Sequence, residues 1–428
     1  MRFEVKNVGK IRHADIKLDG ITVIAGENNT GKSTIGKMLY CVFNSFYMKE
    51  NQIRLQRVNP IRRLLFNFLH EMNGMQHSIN ACTSFANEIV NKTDEYINNK
   101  KHLVEDVQRW YQDNNAVKNV VMNDNQEAVS QLADKIISYM NIPDEKIVEM
   151  LFKQRLDAEF SMKVGHMNHS DEASFINLII KDDSINIKVN SAGDVQIDNC
   201  ISMIKNIIYI DNPFVIDEIN NGIYYALPVN HRCDLINKLS GKHKNKDFDV
   251  LDKILVDEKL DNIFNVMNDV CDGELSLNEN GVYEYKTGSL DGPLDVVNIS
   301  TGMKSFIIIK ALLRNGSIDE NGIIILDEPE IHLHPEWQLK FAEIIVLLQK
   351  EFGLNILLNT HSPYFLNAIE VYSKKYGISN KCNYYMTVEN NLETALEDVT
   401  DNTEEIYAKL ARPLQKLENM EYEYGDKK

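Results

Sequence analysis

The sequence predicts an α/β protein: a head built on a mixed sheet, carrying a β-hairpin subdomain and interrupted by an inserted helical lobe. Three observations predict it. The first 25 residues read as short strands, "RFEVKNV", "HADIKL" and "ITVIA", divided by Gly9 and by Asp19-Gly20. From about 45 to 160 apolar residues recur instead at helical spacing, in "RRLLFNFLHEM", "SFANEIVNKTDEYINN" and "EAVSQLADKIISYM". From residue 298 onward helix and strand patterns alternate, the order that parallel strands with crossover helices require.

The strand "ITVIA" runs directly into "GENNTGKST" at 26–34, and a helix starts at once with "GKSTIGKMLY". Gly26, four residues, then Gly31, Lys32 and Ser33 have the spacing of a phosphate-binding loop. Asn28, Asn29 and Thr30 fill the turn. Gly31 lets backbone approach a phosphate with no Cβ in the way. The N–H groups at the helix start then face the anion, and Lys32 adds a point charge. Ser33, followed by Thr34, offers a hydroxyl to Mg²⁺. An ordinary Gly/Asn turn explains the glycines and leaves the Lys-Ser pair unexplained.

In the helical stretch, Pro60, Gly74 and Pro143 are expected to cut the chain into pieces, and no sustained heptads support a long coiled coil. A compact lobe over 45–159 follows, inserted into a head of 1–44 and 160–390. Residues 174–197 and "GELSLNENGVYEYKTG" read as hairpins, "NIIYID" (206–211) as a strand, and roughly 256–271 as a helix. Residues 391–428 are acidic and read as a helical tail.

"GIIILDEPEIHLHPEW" (322–337) places two acids at the end of a buried apolar strand. At the C-terminal edge of a parallel sheet Asp327 can reach a metal's water shell, and Glu328 can orient and deprotonate a water. A strand capped by acids at a helix start accounts for one acid and not for both. "NILLNTHSPYF" (355–365) is a second buried strand, ending in Thr360 and His361. "NISTGMKSFIIIKALL" (298–313) is a Ser-Thr-Gly turn opening an amphipathic helix, a good N-cap by itself.

With 43% hydrophobic and 25% charged residues, the 428-residue chain has the composition of a globular protein. No apolar run approaches the roughly 20 residues that span a membrane, and "MRFEVKNVGK" is no signal peptide. Six cysteines without any CxxC argue against zinc and against a disulfide framework, and for a reduced cytoplasmic setting. A net charge of −17 excludes a uniformly basic nucleic-acid binder. Nucleic-acid contact stays open at two places only: Arg54, Arg57, Arg62 and Arg63, and the loop "GKHKNK" at 241–246. For each, a solvated surface is the simpler reading.

Taken in order, the phosphate loop, long insertion, "STGMK", "LDEPE" and "THS" resemble the ABC-type ATPases, in particular the branch holding SMC, RecF and OLD proteins. The resemblance covers roughly 1–44 and 160–390. It implies an ABC-type P-loop ATPase head that binds ATP and Mg²⁺ and works as a homodimer or higher homo-oligomer. Gly26 to Thr34 would hold the nucleotide with Lys32, and Ser33 and Asp327 the metal. Glu328 and His361, the latter as switch histidine, would serve catalysis beside Lys32. Ser300, Gly302 and Lys304 of "STGMK", in the place of the family's signature motif, would face ATP held by another protomer. The family's Q-loop glutamine has its nearest candidate in Gln154. OLD proteins continue into a nuclease domain needing a glutamate and a later DxD pair. Here Glu389 offers the glutamate and no DxD follows. The expected effector, a nuclease or toxin, is therefore a separate polypeptide, as in the Septu- and PARIS-type anti-phage systems that the chain resembles. A RecF-like DNA-repair ATPase and a slow scaffold sequestering a toxin remain the alternatives.

Overall fold

The computed structural model describes residues 1–73, 79–114, 126–161, 164–167, 169, 171–221, 230–241, 250–391 and 393–425. Three strands open the chain: β1 (Arg2–Val8), β2 (Ile11–Lys17) and β3 (Ile21–Ala25). The third is buried along its whole length, as a strand covered on both faces must be. Helix α1 (Lys32–Phe46) follows, and then α2 (Lys49–Asn73), α3 (Ile79–Asn91), α4 (Thr93–Asn98), α5 (Lys100–Asn114), α6 (Gln126–Met140) and α7 (Asp144–Phe160). The chain divides into two compact units, 48–151 and 1–47 with 152–428.

In the unit 48–151, Ile61, Leu65, Ala86, Ile89, Leu103, Val107, Ala133 and Ile136 are wholly buried in one apolar cluster. Phe85 stacks on Trp110 with centroids 4.8 Å apart. Pro60 lies inside α2 rather than ending it. Its missing N–H and ring clash cost the helix about 3 kcal/mol, and the buried faces of Val58, Ile61 and Leu65 on both sides outweigh that. Gly74 lies outside the described residues, and Pro143 directly precedes α7. Arg57 is turned inward: it donates to the Asp144 carboxylate (2.6 Å) and the Ile142 carbonyl (2.8 Å). In the second basic stretch, residues 242–246 lie outside the described residues.

The larger unit continues with β4 (Ser174–Ile180), β5 (Asp183–Val189), β6 (Val195–Asp198) and β7 (Ile207–Ile210), so 174–197 forms a three-stranded meander rather than a single hairpin. Helices α8 (His231–Leu239) and α9 (Val250–Asn268) lead to a small antiparallel sheet of β8 (Glu274–Leu277), β9 (Tyr283–Lys286) and β10 (Leu294–Asp295). The predicted alternation then appears as α10 (Thr301–Arg314), β11 (Ile323–Asp327), α11 (Pro335–Phe352), β12 (Asn355–Thr360), α12 (Pro363–Lys375), β13 (Cys382–Asn390), β14 (Glu393–Asp398) and α13 (Glu404–Gly425).

Eleven strands form one sheet in the order β6-β5-β4-β1-β2-β14-β13-β3-β12-β11-β7. Its β6-to-β2 half is antiparallel, and its β13-to-β7 half is parallel. The fold is thus α/β with a large mixed sheet. The region 391–428, which the sequence offers as a helical tail, is corrected at its start: β14 pairs with both β2 and β13 inside the sheet. Its "ETALED" is short and acidic at both ends, so the alternation that marks a strand is weak there. No helix among the described residues is long and apolar enough to cross a membrane.

Candidate functional site

The parallel half of the sheet sends β3, β11 and β12 side by side toward one edge, and the sequence-predicted residues sit on the turns that leave it. At Gly26 a Cβ would lie 1.9 Å from Thr387 Oγ1, so only glycine fits. Asn29 and Gly31 turn the loop with φ of 63° and 87°, the left-handed region that asparagine and glycine tolerate best. Thr30 closes it by donating to the Glu27 carbonyl at 2.8 Å, while Asn28 and Asn29 stay exposed. Gly31 is the N-cap of α1 and brings no side-chain cap, and the first turn carries no acid. The helix start, with Ser33 and Thr34 half-buried on it, is left for an outside anion.

Lys32 is 4% exposed. Its Nζ donates to the carbonyls of Gly26 (3.0 Å) and Glu27 (2.8 Å) and lies 3.5 Å from Glu328 Oε1. Glu328 Oε1 is also 3.4 Å from His361 Nδ1. The structure therefore brings Lys32, Glu328 and His361 together from the ends of three neighbouring strands. Glu328 has φ of 49°, an uncommon conformation for a glutamate that costs about 1–3 kcal/mol. Its backbone N–H is anchored on the Asn359 carbonyl at 2.9 Å.

Asp327 accepts a hydrogen bond on each oxygen, from the Tyr209 hydroxyl and from Asn359 Nδ2, both at 2.9 Å. Burial pushes the Tyr209 phenol well above its ordinary pKa, so it stays a donor. Each Asp327 oxygen keeps a lone pair, and the carboxylate is fixed in direction. That donor set, together with the Ser33 hydroxyl, fits a hard cation such as Mg²⁺. Glu330, 2% exposed, accepts from Thr360 Oγ1 (2.5 Å) and from the His361 backbone N–H (3.3 Å). Desolvation raises its pKa against the pull of the Thr360 hydroxyl.

Ser300 is the N-cap of α10, exposed, and its hydroxyl makes no capping bond. Gly302 is a packing glycine: a Cβ would meet the His332 carbonyl at 2.9 Å and the Trp337 ring at 3.1 Å. Lys304 corrects an expectation. It is 2% exposed, bonded to Asp217 (2.6 and 2.9 Å) and to the Val297 carbonyl (3.2 Å), so its ammonium is committed within its own chain, where it anchors its helix. Gln154 is exposed on α7. Asp211 directly follows β7, the strand next to β11, and its carboxylate accepts from His231 Nε2 at 2.9 Å. The other ring nitrogen of His231 meets Glu159 at 2.7 Å. Burial alone would lower the His231 pKa, but the two carboxylates outweigh it and raise it to about 9.

Sequence reasoning missed Tyr209, Asn359, Glu330 and His231. Two had a signal: Tyr209 and Asn359 are the polar side chains inside the otherwise apolar "IIYI" and "ILLN". His231 had none, since only the folded chain brings Glu159 and Asp211 to it.

Residues 1–366 match the AAA ATPase domain family. The chain belongs to that family. An ATPase domain of this kind binds nucleotide, which accounts for the built phosphate loop. Among curated proteins, it is 36% identical over 86 residues to the Septu protein PtuA of Bacillus thuringiensis, covering 17% of this chain and 21% of that one. It is 29% identical over 102 residues to the Retron Vc95 probable ATPase of Vibrio cholerae serotype O1 biovar El Tor, covering 21% and 19%. The chain thus spans about a fifth of the length of the curated relatives it matches. Among solved structures, the SMC head domain from Thermotoga maritima superposes at a TM-score of 0.39 with 11% identity, over 93% of this chain and 98% of that one.

Proposed function

We propose that this ATPase hydrolyses ATP with Mg²⁺ in the cytoplasm, closes head to head with a second copy around the nucleotide, and thereby gates a separate effector in phage defence. The observation that carries the proposal is the meeting of Lys32, Glu328 and His361 within 3.5 Å contacts at the ends of β3, β11 and β12. Lys32 and the 26–34 backbone hold the phosphates. Ser33 and Asp327 hold Mg²⁺, which when bound neutralises charge on the phosphate oxygens. Glu328 orients and deprotonates the attacking water, with His361 beside it to register the γ-phosphate. Ser300, its hydroxyl uncommitted, completes the site of the other protomer. The defence role rests on the likeness to the Septu and retron proteins alone.

Gly302 is a poor place to test the shared site, because any side chain there first disturbs the packing on Trp337. Ser300→Asp puts a carboxylate on an exposed turn instead. It should bind ATP as wild type does and fail to dimerise in light scattering with ATP and Mg²⁺. Dimers and normal turnover in Ser300→Asp would end the shared-site mechanism.

A further inference from the structure

We propose that His166, His169 and Glu393 form a binding site for a divalent d-block cation, Zn²⁺ foremost. One ligand atom from each lies within 4.8 Å of the other two, although Glu393 stands 224 residues from His169 in the chain. An ion pair between His169 Nε2 and Glu393 Oε1, 2.7 Å apart, accounts for two of the three. Beside that pair lies a second imidazole, His166, 1% exposed, with its ring centroid 5.2 Å from that of His169. Two ligands on one Zn²⁺ at about 2.0–2.1 Å and a tetrahedral angle stand roughly 3.3 Å apart. Closing the cluster on an ion therefore needs side-chain shifts of about an ångström.

The backbone holds the ligands ready. Gly9 donates to the Val164 carbonyl (3.2 Å) and accepts from Met167 (2.9 Å), while Thr394 donates to the Lys10 carbonyl (2.9 Å). Both ligand-bearing segments are thus laced to the same β1–β2 turn. On the far side of the His169 ring, Nδ1 lies 3.6 Å from Glu172, which Arg12 (2.8 Å) and Asn7 (3.0 Å) hold in place. A carboxylate behind a ligating histidine fixes its tautomer and orientation. His169 and Glu393 are 40% and 28% exposed, which leaves an open side for a water as fourth ligand.

Two imidazoles and a carboxylate suit Zn²⁺, Co²⁺, Ni²⁺ or Cu²⁺ rather than Mg²⁺, which prefers oxygen ligands alone. The cysteine spacing that argues against zinc says nothing about such a set. The same turn supports the phosphate loop, since a Cβ at Gly31 would meet Ile11 at 2.6 Å. Occupancy would therefore stiffen the flank of that loop.

The test strips the full-length protein with chelator and titrates Zn²⁺ against a chromophoric competitor, then repeats this for His169→Ala and Glu393→Gln. Wild type should bind one tight Zn²⁺, each variant should lose at least about tenfold in affinity, and Co²⁺ should give a tetrahedral visible spectrum in wild type only. Glu393→Gln keeps a hydrogen-bond partner for His169, so its loss reads ligation rather than folding. Melting of both variants in chelator at the wild-type temperature checks that they fold. Equal Zn²⁺ affinity in wild type and folded Glu393→Gln overturns the proposal.

Discussion

The two units differ most in what they bury. Among the described residues of 48–151 no charged side chain is buried, and the interior is the apolar cluster around Ile61, Leu103 and Ile136. The larger unit buries Lys32, Arg155, Glu159, Lys238, Lys304, Lys310 and Glu330. Burying a charge without partners is unfavourable by several kcal/mol, so each of these marks a place where the fold supplies a partner. Some, such as Lys304 with Asp217, hold elements together. Lys32 and Glu330 instead stand at the candidate nucleotide site, around Glu328 and His361. The lobe resembles a structural bundle; the head carries stored polarity, as chemistry requires.

The sharpest break would come from Glu328→Gln. Loss of a general base lowers turnover by about 10²–10⁴, and ATP binding should persist, so turnover assays alongside nucleotide titration separate the two. Hydrolysis at the wild-type rate would place the base elsewhere. In the lobe the largest effect is on stability. Trp110→Ala removes the partner of Phe85 and should cost the 48–151 unit about 3–5 kcal/mol, with ATP affinity unchanged. Parallel loss of melting temperature and nucleotide binding would show that the lobe is not independent. Lys32→Ala removes a charge-assisted contact to phosphate and should weaken ATP roughly 100-fold; unchanged affinity in the folded variant sinks the phosphate-loop assignment.

The smallest effect concerns pH. His231 has a folded pKa of about 9, above its ordinary 6.5. The stabilisation it gives is complete below 6.5 and lost as pH rises through 9, about 2 kcal/mol of it between pH 7 and 9. Asp211, its pKa lowered against burial by His231, does not titrate in that window. Denaturant melts across the range should show the slope in wild type and not in His231→Gln; equal slopes would discharge His231 from the role.

What could be read from the residues follows from how local the cause is. The phosphate loop is one continuous stretch whose glycines and lysine each have a backbone reason, so "GENNTGKST" announced itself. "LDEPE" and "THS" did so because strand ends in a parallel sheet face the same edge. Tyr209 holding Asp327, and His231 held by Glu159 and Asp211, arise from segments far apart in the chain, and no periodicity connects them. Lys304 was misjudged for a related reason: a lysine in the first turn of a helix reads as exposed until Asp217 is placed beneath it. Pro60 was read by propensity, and packing overrode propensity.

The position of β14 has a consequence for how the molecule is made. β2 and β3 are neighbours in sequence, yet β14 and β13 lie between them in the sheet. Among the described residues, strand pairing joins the antiparallel and parallel halves through β14, which ends at Asp398. During synthesis both halves wait with an open edge until β14 has left the ribosome, and edges of that kind recruit other strands. Pairing across some 380 residues is slow to find. A chain ending at Asn390 would keep every residue proposed for the nucleotide site and still leave the sheet unzipped at its centre.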